Sequence, residues 1–247
     1  MFEFPRGVRA GNVLHEIFER LDFSNAESEQ TRELIREELR EHGFDLGWEE
    51  TVNRMIQDVL STPLGTPENP IYLNQLSGGN RLREIEFAFP LERLTARHLK
   101  QILKSHSMGK FAVDLVEKIE QLEFSTIRGW LRGFIDLVFQ WNGRFYLLDW
   151  KSNYLGERIE AYRTSALTEV IQENFYFLQY YLYTVALHRY LRLRIPEYQY
   201  QSHFGGVFYV FLRGIDPGRG GKSGIFQDIP GEILIKALDD HFPENAP

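Results

Sequence analysis

The chain contains no cysteine, which excludes disulfides, zinc ribbons and cysteine-ligated iron–sulfur clusters. It has no run of about 18 or more apolar residues, so a transmembrane span is not expected. The N-terminus lacks a basic region followed by an apolar stretch, the pattern of a secretory signal, and a cytoplasmic protein is the expectation. Positive charge is also scarce: 28 lysines and arginines stand against 35 acidic residues, a net charge of −7. Phosphate contacts favour a basic surface, so composition alone argues mildly against nucleic acid. Local clusters (Arg189, Arg192 and Arg194; Arg128 and Arg132) soften that objection. There is no internal repeat and no low-complexity tract. What is present is 247 residues, 43% hydrophobic and 14% aromatic, enough for one large domain with a substantial core.

Periodicity predicts helices over 5–23, 29–42, 48–61, 95–105, 110–123, roughly 168–194 and 231–241. Strands are predicted at 83–89, in a hairpin at about 127–150, and at 205–213. Pro63, Gly65, Pro67 and Pro70 read as a loop, and 214–224 as a glycine-rich one. The fold class is therefore α/β, a small mixed central sheet flanked by helices, in one domain. Residues 1–80 form a helical N-terminal part, 81–213 a catalytic core, and 214–247 a loop with a final helix.

The hairpin carries the chemistry. Asn142-Gly143 between β-branched and aromatic runs signals a two-residue type I′ turn. Trp141 then pairs with Arg144, and the same register sets Asp136 directly opposite Asp149 on one sheet face. Opposed like charges are destabilising, and a hard divalent cation bound by both carboxylates would offset the repulsion. The bland alternative is a pair satisfied by arginines or backbone groups, but aspartate is disfavoured inside strands. Lys151, two residues on, shares the face of Asp149. It is either a strand-end lysine reaching water or a group that orients a metal-bound water, accepts its proton, or stabilises charge on phosphorus. Two acids, a cation and a lysine on one face make a phosphodiester-cleaving layout.

Other candidates are weaker alone. An isolated histidine is most often a surface or core residue, yet His15, beside the apolar stripe of the first helix, can add an imidazole ligand. Glu84 and Glu86 share one face of their strand, and either can supply a further acid. Gln179 and Tyr183 lie at i and i+4 on the long helix, and a glutamine on an aromatic stripe can bond a phosphate or a water. Gly221-Lys222-Ser223 is no phosphate loop, because Asp216 stands where the first glycine belongs.

Gly133-x-x-Asp136, Asp149-x-Lys151 and Gln179-x-x-x-Tyr183 together resemble the signature of RecB-type nucleases in the PD-(D/E)XK superfamily. Further matches are Phe4-Pro-Arg-Gly7 with Leu14-His15, Leu148-Asp-Trp-Lys-Ser-Asn153-x-Leu-Gly156, Leu187-His-Arg-Tyr-Leu191, His203-Phe-Gly-Gly206 and Phe211-Leu-Arg-Gly214. They look most like the C-terminal nuclease domain of the RecBCD (exodeoxyribonuclease V) helicase–nucleases, over about residues 4–240.

The resemblance implies a restriction-endonuclease-like core and Mg²⁺ held by His15, Asp136, Asp149 and the backbone carbonyl of Trp150. It also implies Lys151 as catalytic lysine and an accessory acid on the preceding strand, aligned to Glu84 with Glu86 as the alternative. Gln179 and Tyr183 lie on the helix beside the site, and one or two Mg²⁺ can take part. The implied activity is DNA hydrolysis at double-strand breaks for recombination. The implied partners are DNA, the RecC and RecD subunits, and RecA, and no membrane. Met1 directly before the matched segment suggests a domain excised from a longer chain. Two other readings are a free-standing RecB-like repair nuclease, whose relatives often carry a cysteine-bound cluster, and a non-catalytic docking module for RecA or partner subunits.

Overall fold

The computed structural model describes residues 1–91, 96–106 and 129–242. Three amphipathic helices open the chain: α1 (Val8–Arg20), α2 (Glu29–Glu41) and α3 (Glu49–Ser61). In α1 the buried residues Ala10, Val13, Leu14, Ile17 and Phe18 follow the 3.6-residue period. Ser28 caps α2 by accepting the Thr31 N–H at 3.2 Å. A small antiparallel pair follows, β1 (Leu64–Thr66) and β2 (Asn69–Ile71). Next come β3 (Arg81–Leu91), α4 (Ala96–His106), β4 (Gly129–Trp141) and β5 (Arg144–Lys151). The remainder is α5 (Thr164–Glu173), α6 (Tyr176–Arg194), α7 (Tyr200–His203), β6 (Phe204–Phe211), β7 (Ile225–Asp228) and α8 (Glu232–Asp239).

The five larger strands form one mixed sheet in the order β3-β4-β5-β6-β7, antiparallel except for the parallel β5–β6 pair. The fold is α/β, a mixed sheet with helices on both faces. One face carries α1, α2 and α3 over Leu137, Phe139, Leu148, Trp150, Phe208 and Val210. The other carries α4, α5, α6 and α8 over Val138, Leu147, Val207, Tyr209 and Phe211. The hairpin is as expected: Trp141 pairs with Arg144, with Asn142 at φ 48° and Gly143 at φ 77°.

One irregularity in this sheet positions the site. Leu137 and Phe139 pack with the α1–α3 layer, yet Ile135 packs with the α6 layer. Residues two apart on a regular strand share a face, so β4 turns over between Leu137 and Ile135. β3 does the same across from it: Arg83 reaches the Glu19 and Leu21 carbonyls of the first layer, while Ile85 and Phe87 pack on the second. Glu84 sits at that point with φ 48°, and the paired register skips from Arg83↔Leu137 to Ile85↔Ile135. Glu84 and Asp136 thus mark the place where the sheet changes hands between its layers.

Several expectations change. The helix expected over 168–194 is two helices broken at Phe175 (φ 54°), because Asn174 turns its side-chain amide back to the Val170 carbonyl at 2.9 Å and ends α5. The proline-rich loop holds β1–β2, and Pro70 fits there because its missing N–H costs little in a two-stranded pair. The glycine-rich segment is followed by β7, four residues long and too short to show alternation. The helix expected over 110–123 lies outside the described residues. Of the basic clusters, Arg189 and Arg192 pair with Asp239, Arg132 pairs with Glu86 at the surface, and Arg194 lies over the Tyr190 ring. Arg128 is outside the described residues.

Candidate active site

Alternation along β5 sends Leu148 and Trp150 into the first core and leaves Asp149 and Lys151 facing α6. Asp149 is 4% exposed. The Lys151 Nζ lies 2.6 Å from Asp149 Oδ2 and donates to Gln179 Oε1 at 3.0 Å. It also rests over the rings of Tyr176 and Tyr209, 4.2 and 4.8 Å from their centroids. Gln179 Oε1 receives a second donor, the Tyr209 hydroxyl at 2.9 Å, and its Nε2 donates to the Tyr183 hydroxyl at 2.8 Å. With two donors on its oxygen and an acceptor at its nitrogen, the amide has one satisfied orientation. Tyr183 in turn meets Phe87 edge-on, ring centroids 5.4 Å apart.

Asp136 and Asp149 do not sit in a continued ladder. The β4–β5 pairing stops at Leu137↔Leu148, and Asp149 is next paired with Tyr209 of β6. The turnover of β4 at Asp136 ends the ladder, and the Asp136 carboxylate replaces it by accepting the Trp150 backbone N–H at 2.8 Å. The two charges still feel each other. Burial, then the Asp149 charge, push the Asp136 carboxyl up to about 8. The expected repulsion is therefore present, although the direct opposition is not.

His15 comes over the sheet edge from α1, with Nδ1 3.6 Å from Asp136 Oδ2. Burial lowers its pKa, with Asp149 opposing and Lys151 assisting, so the imidazole is held neutral. The two candidate acids on β3 part company. Glu86 is ion-paired with Arg132 at the surface. Glu84 is across from Asp136, and its charge helps raise the pKa of both Asp136 and Glu19 of α1. The structure brings together His15, Asp136, Asp149, Trp150 and Lys151, with Gln179 and Tyr183 behind the lysine and Glu84 at the rim. It leaves Glu86 outside.

These residues fit a hard divalent cation. Asp149 Oδ2 is buried with no regular hydrogen-bond partner, meeting only the Lys151 ammonium. Carboxylate oxygens, a backbone carbonyl and a neutral imidazole form a donor set suited to Mg²⁺ or Mn²⁺. Among the described residues, the group whose histidine and carboxylate ligand atoms all fall within 4.8 Å is Glu16, Glu38 and His42, on the α2 side of α1. His15, Asp136 and Asp149 stand wider, with Lys151 on one carboxylate and the Trp150 N–H on the other.

Tyr209 and Tyr176 belong to this assembly and were not anticipated. Tyr209 lies in the run Val207-Phe-Tyr-Val-Phe211, where it reads as a core aromatic, and it is in fact fully buried. Only its register beside Asp149, set by the parallel β5–β6 pair, reveals its place. Tyr176 opens α6, a start hidden from sequence by the unexpected break at Phe175.

The sequence profile of the PD-(D/E)XK nuclease superfamily matches residues 2–237. Among similar proteins, the RecBCD enzyme subunit RecB of Escherichia coli K12 is 43% identical over 241 residues, 97% of this chain and 19% of that protein. The Haemophilus influenzae subunit is 36% identical over 243 residues, covering 98% and 19%. The Mycobacterium tuberculosis H37Rv subunit is 30% identical over 261 residues, covering 96% and 24%. The chain thus spans about a fifth to a quarter of the length of these relatives.

Proposed function

The chain belongs to the PD-(D/E)XK nuclease superfamily, and from that premise we propose that it is a Mg²⁺-dependent deoxyribonuclease domain of the exodeoxyribonuclease V type. The observation that carries this reading is the Lys151–Asp149 contact, with a buried Asp149 oxygen free of other partners and Asp136 and His15 beside it. In this reading His15, Asp136, Asp149 and the Trp150 carbonyl hold Mg²⁺. The bound ion supplies Lewis-acid polarisation of the scissile phosphodiester and of the attacking water. Lys151 Nζ, held by Gln179 and the two tyrosine faces, places its positive charge against the phosphorane as negative charge builds there. Gln179 fixes the lysine and is itself fixed by Tyr209 and Tyr183. Glu84, at the rim, is the accessory acid in preference to Glu86, which Arg132 neutralises.

The matched relatives are subunits of a RecBCD enzyme. On that ground we read the substrate as DNA, single strands and duplex ends, processed at double-strand breaks for recombination. RecC and RecD are then the assembly partners, and RecA a contact.

The test is degradation of linear single-stranded DNA with Mg²⁺, with EDTA, and by Asp149→Ala. Cleavage that disappears in both controls is the expected result. Cleavage that persists in Asp149→Ala would sink the assignment of the site. If Mg²⁺ fails to bind to the wild-type chain, the metal reading falls with it.

A further inference from the structure

A second cluster of ligand atoms lies on the other flank of α1. Glu16, one position after His15, turns toward α2, where Glu38 and His42 stand four residues apart and so on one face. His42 Nε2 is 3.0 Å from Glu16 Oε2 and 3.9 Å from Glu38 Oε2, and the three ligand atoms all fall within 4.8 Å of one another. Glu38 is 1% exposed. Arg20 takes its Oε1, but its Oε2, the oxygen facing His42, is buried without a hydrogen-bond partner. A buried carboxylate oxygen left unpaired is costly, and a cation or a proton must meet it. Arg20 also binds Glu37 at 2.9 Å, so one guanidinium is shared between two carboxylates while Glu16 turns to His42. An imidazole with two carboxylates and no backbone carbonyl is a donor set that Zn²⁺ and Mn²⁺ take readily.

We propose that Glu16, Glu38 and His42 form a structural site for a divalent transition cation of the Zn²⁺ class, clamping α1 to α2. Arg20 stays on Glu38 Oε1 while the ion takes Oε2. Glu16 and His42 are partly exposed, so the ion enters from solvent and water completes its coordination. The clamp holds the helix that carries His15, but it stands whether or not the nuclease reading does.

The experiment is Zn²⁺ stoichiometry of the full chain by equilibrium dialysis at neutral pH, in an Asp136→Asn/Asp149→Asn background that disables the other candidate site. Stoichiometric Zn²⁺ is expected to remain there. Adding His42→Ala, Glu38→Gln or Glu16→Gln should weaken it by at least about tenfold, and the visible absorption of bound Co²⁺ should vanish in step. Glu16→Gln, on the exposed side, serves if a substitution at buried Glu38 unfolds the chain. No Zn²⁺ in the background, or binding indifferent to these three residues, overturns the proposal. So does a Glu38→Gln chain that gains thermal stability while wild type shows no Zn²⁺ shift, since a proton shared by Glu16 and Glu38 would then be the occupant.

Discussion

Asp136 is held by two opposing demands. Its carboxylate must accept the Trp150 N–H where the ladder ends, yet it is buried beside a second carboxylate, and the latter effects win. The folded pKa of about 8 lies above the ordinary value of 3.8. The folded state therefore holds this proton more tightly than the unfolded chain. Its stabilising contribution is complete below the ordinary value and is lost as pH rises through about 8. Metal-free protein should lose resistance to urea across that window, and Asp136→Asn should flatten the slope. A wild-type profile as flat as the variant's would show that Asp136 ionises normally. Mg²⁺ should restore stability at the alkaline end and release a proton on binding below it.

Behind the lysine, Tyr209→Phe removes one of the two donors on the Gln179 oxygen. A buried hydrogen bond of this kind is worth about 0.5–1.5 kcal/mol net, which corresponds to roughly two- to tenfold in rate if it acts through Lys151. Single-turnover cleavage should slow by that factor while Mg²⁺ affinity, read by calorimetry, stays put. An equal loss of Mg²⁺ affinity would mean that Tyr209 shapes the carboxylates rather than the lysine.

Among the elements, Gly133 shows what the Gly-x-x-Asp spacing does. It pairs with Phe87 across β3–β4, and a Cβ there would fall 2.5 Å from the Phe87 ring. The ring lies over the bare glycine and against Tyr183, which bonds Gln179. Gly133→Ala should thus destabilise by about 1–3 kcal/mol, the usual cost of overpacking. A denaturation cycle with Phe87→Leu should recover part of that loss, and strictly additive effects would rule out the contact.

The sequence makes the hairpin legible because Asn-Gly fixes a turn and period-two alternation fixes the faces, so Asp149, Lys151 and the nearness of Asp136 could be read directly. Gln179 and Tyr183 followed from helical spacing. The turnover at Glu84 and Asp136 could not be read, because a φ of 48° at a glutamate has no local signature and the sheet imposes it. The same limit hid Tyr209, whose role depends on a parallel pairing between segments some sixty residues apart. His15 needed the packing of α1, which periodicity does not give.

For the molecule as a whole, Arg213 ties these parts into one frame. Its guanidinium donates to the carbonyls of Ser152 at 3.0 Å, Met1 at 3.2 Å and Phe4 at 2.8 Å. The loop after Lys151 and the segment leading into α1 are thereby fixed to the end of β6, and with them the distance from His15 to the two aspartates. The long-range charge is less accommodating to DNA. The net charge is −7, and Arg132, Arg189, Arg192 and Arg36 all have carboxylate partners. These four are engaged by acids rather than free to displace counterions from a phosphate backbone. Each neutralised phosphate on a single strand adds about 0.7 to the slope of log affinity against log salt. We expect a slope no steeper than about −3, roughly four phosphates, for chelated Asp149→Ala protein titrated by fluorescence anisotropy. A slope near −6 would reveal a basic track that these ion pairs do not suggest. A shallow slope would place most of the DNA grip outside this chain, in keeping with its spanning only 19% of the E. coli subunit. Slow cleavage by the isolated chain would then reflect weak capture of DNA, and raising the DNA concentration should restore the rate without any change at the proposed metal ligands.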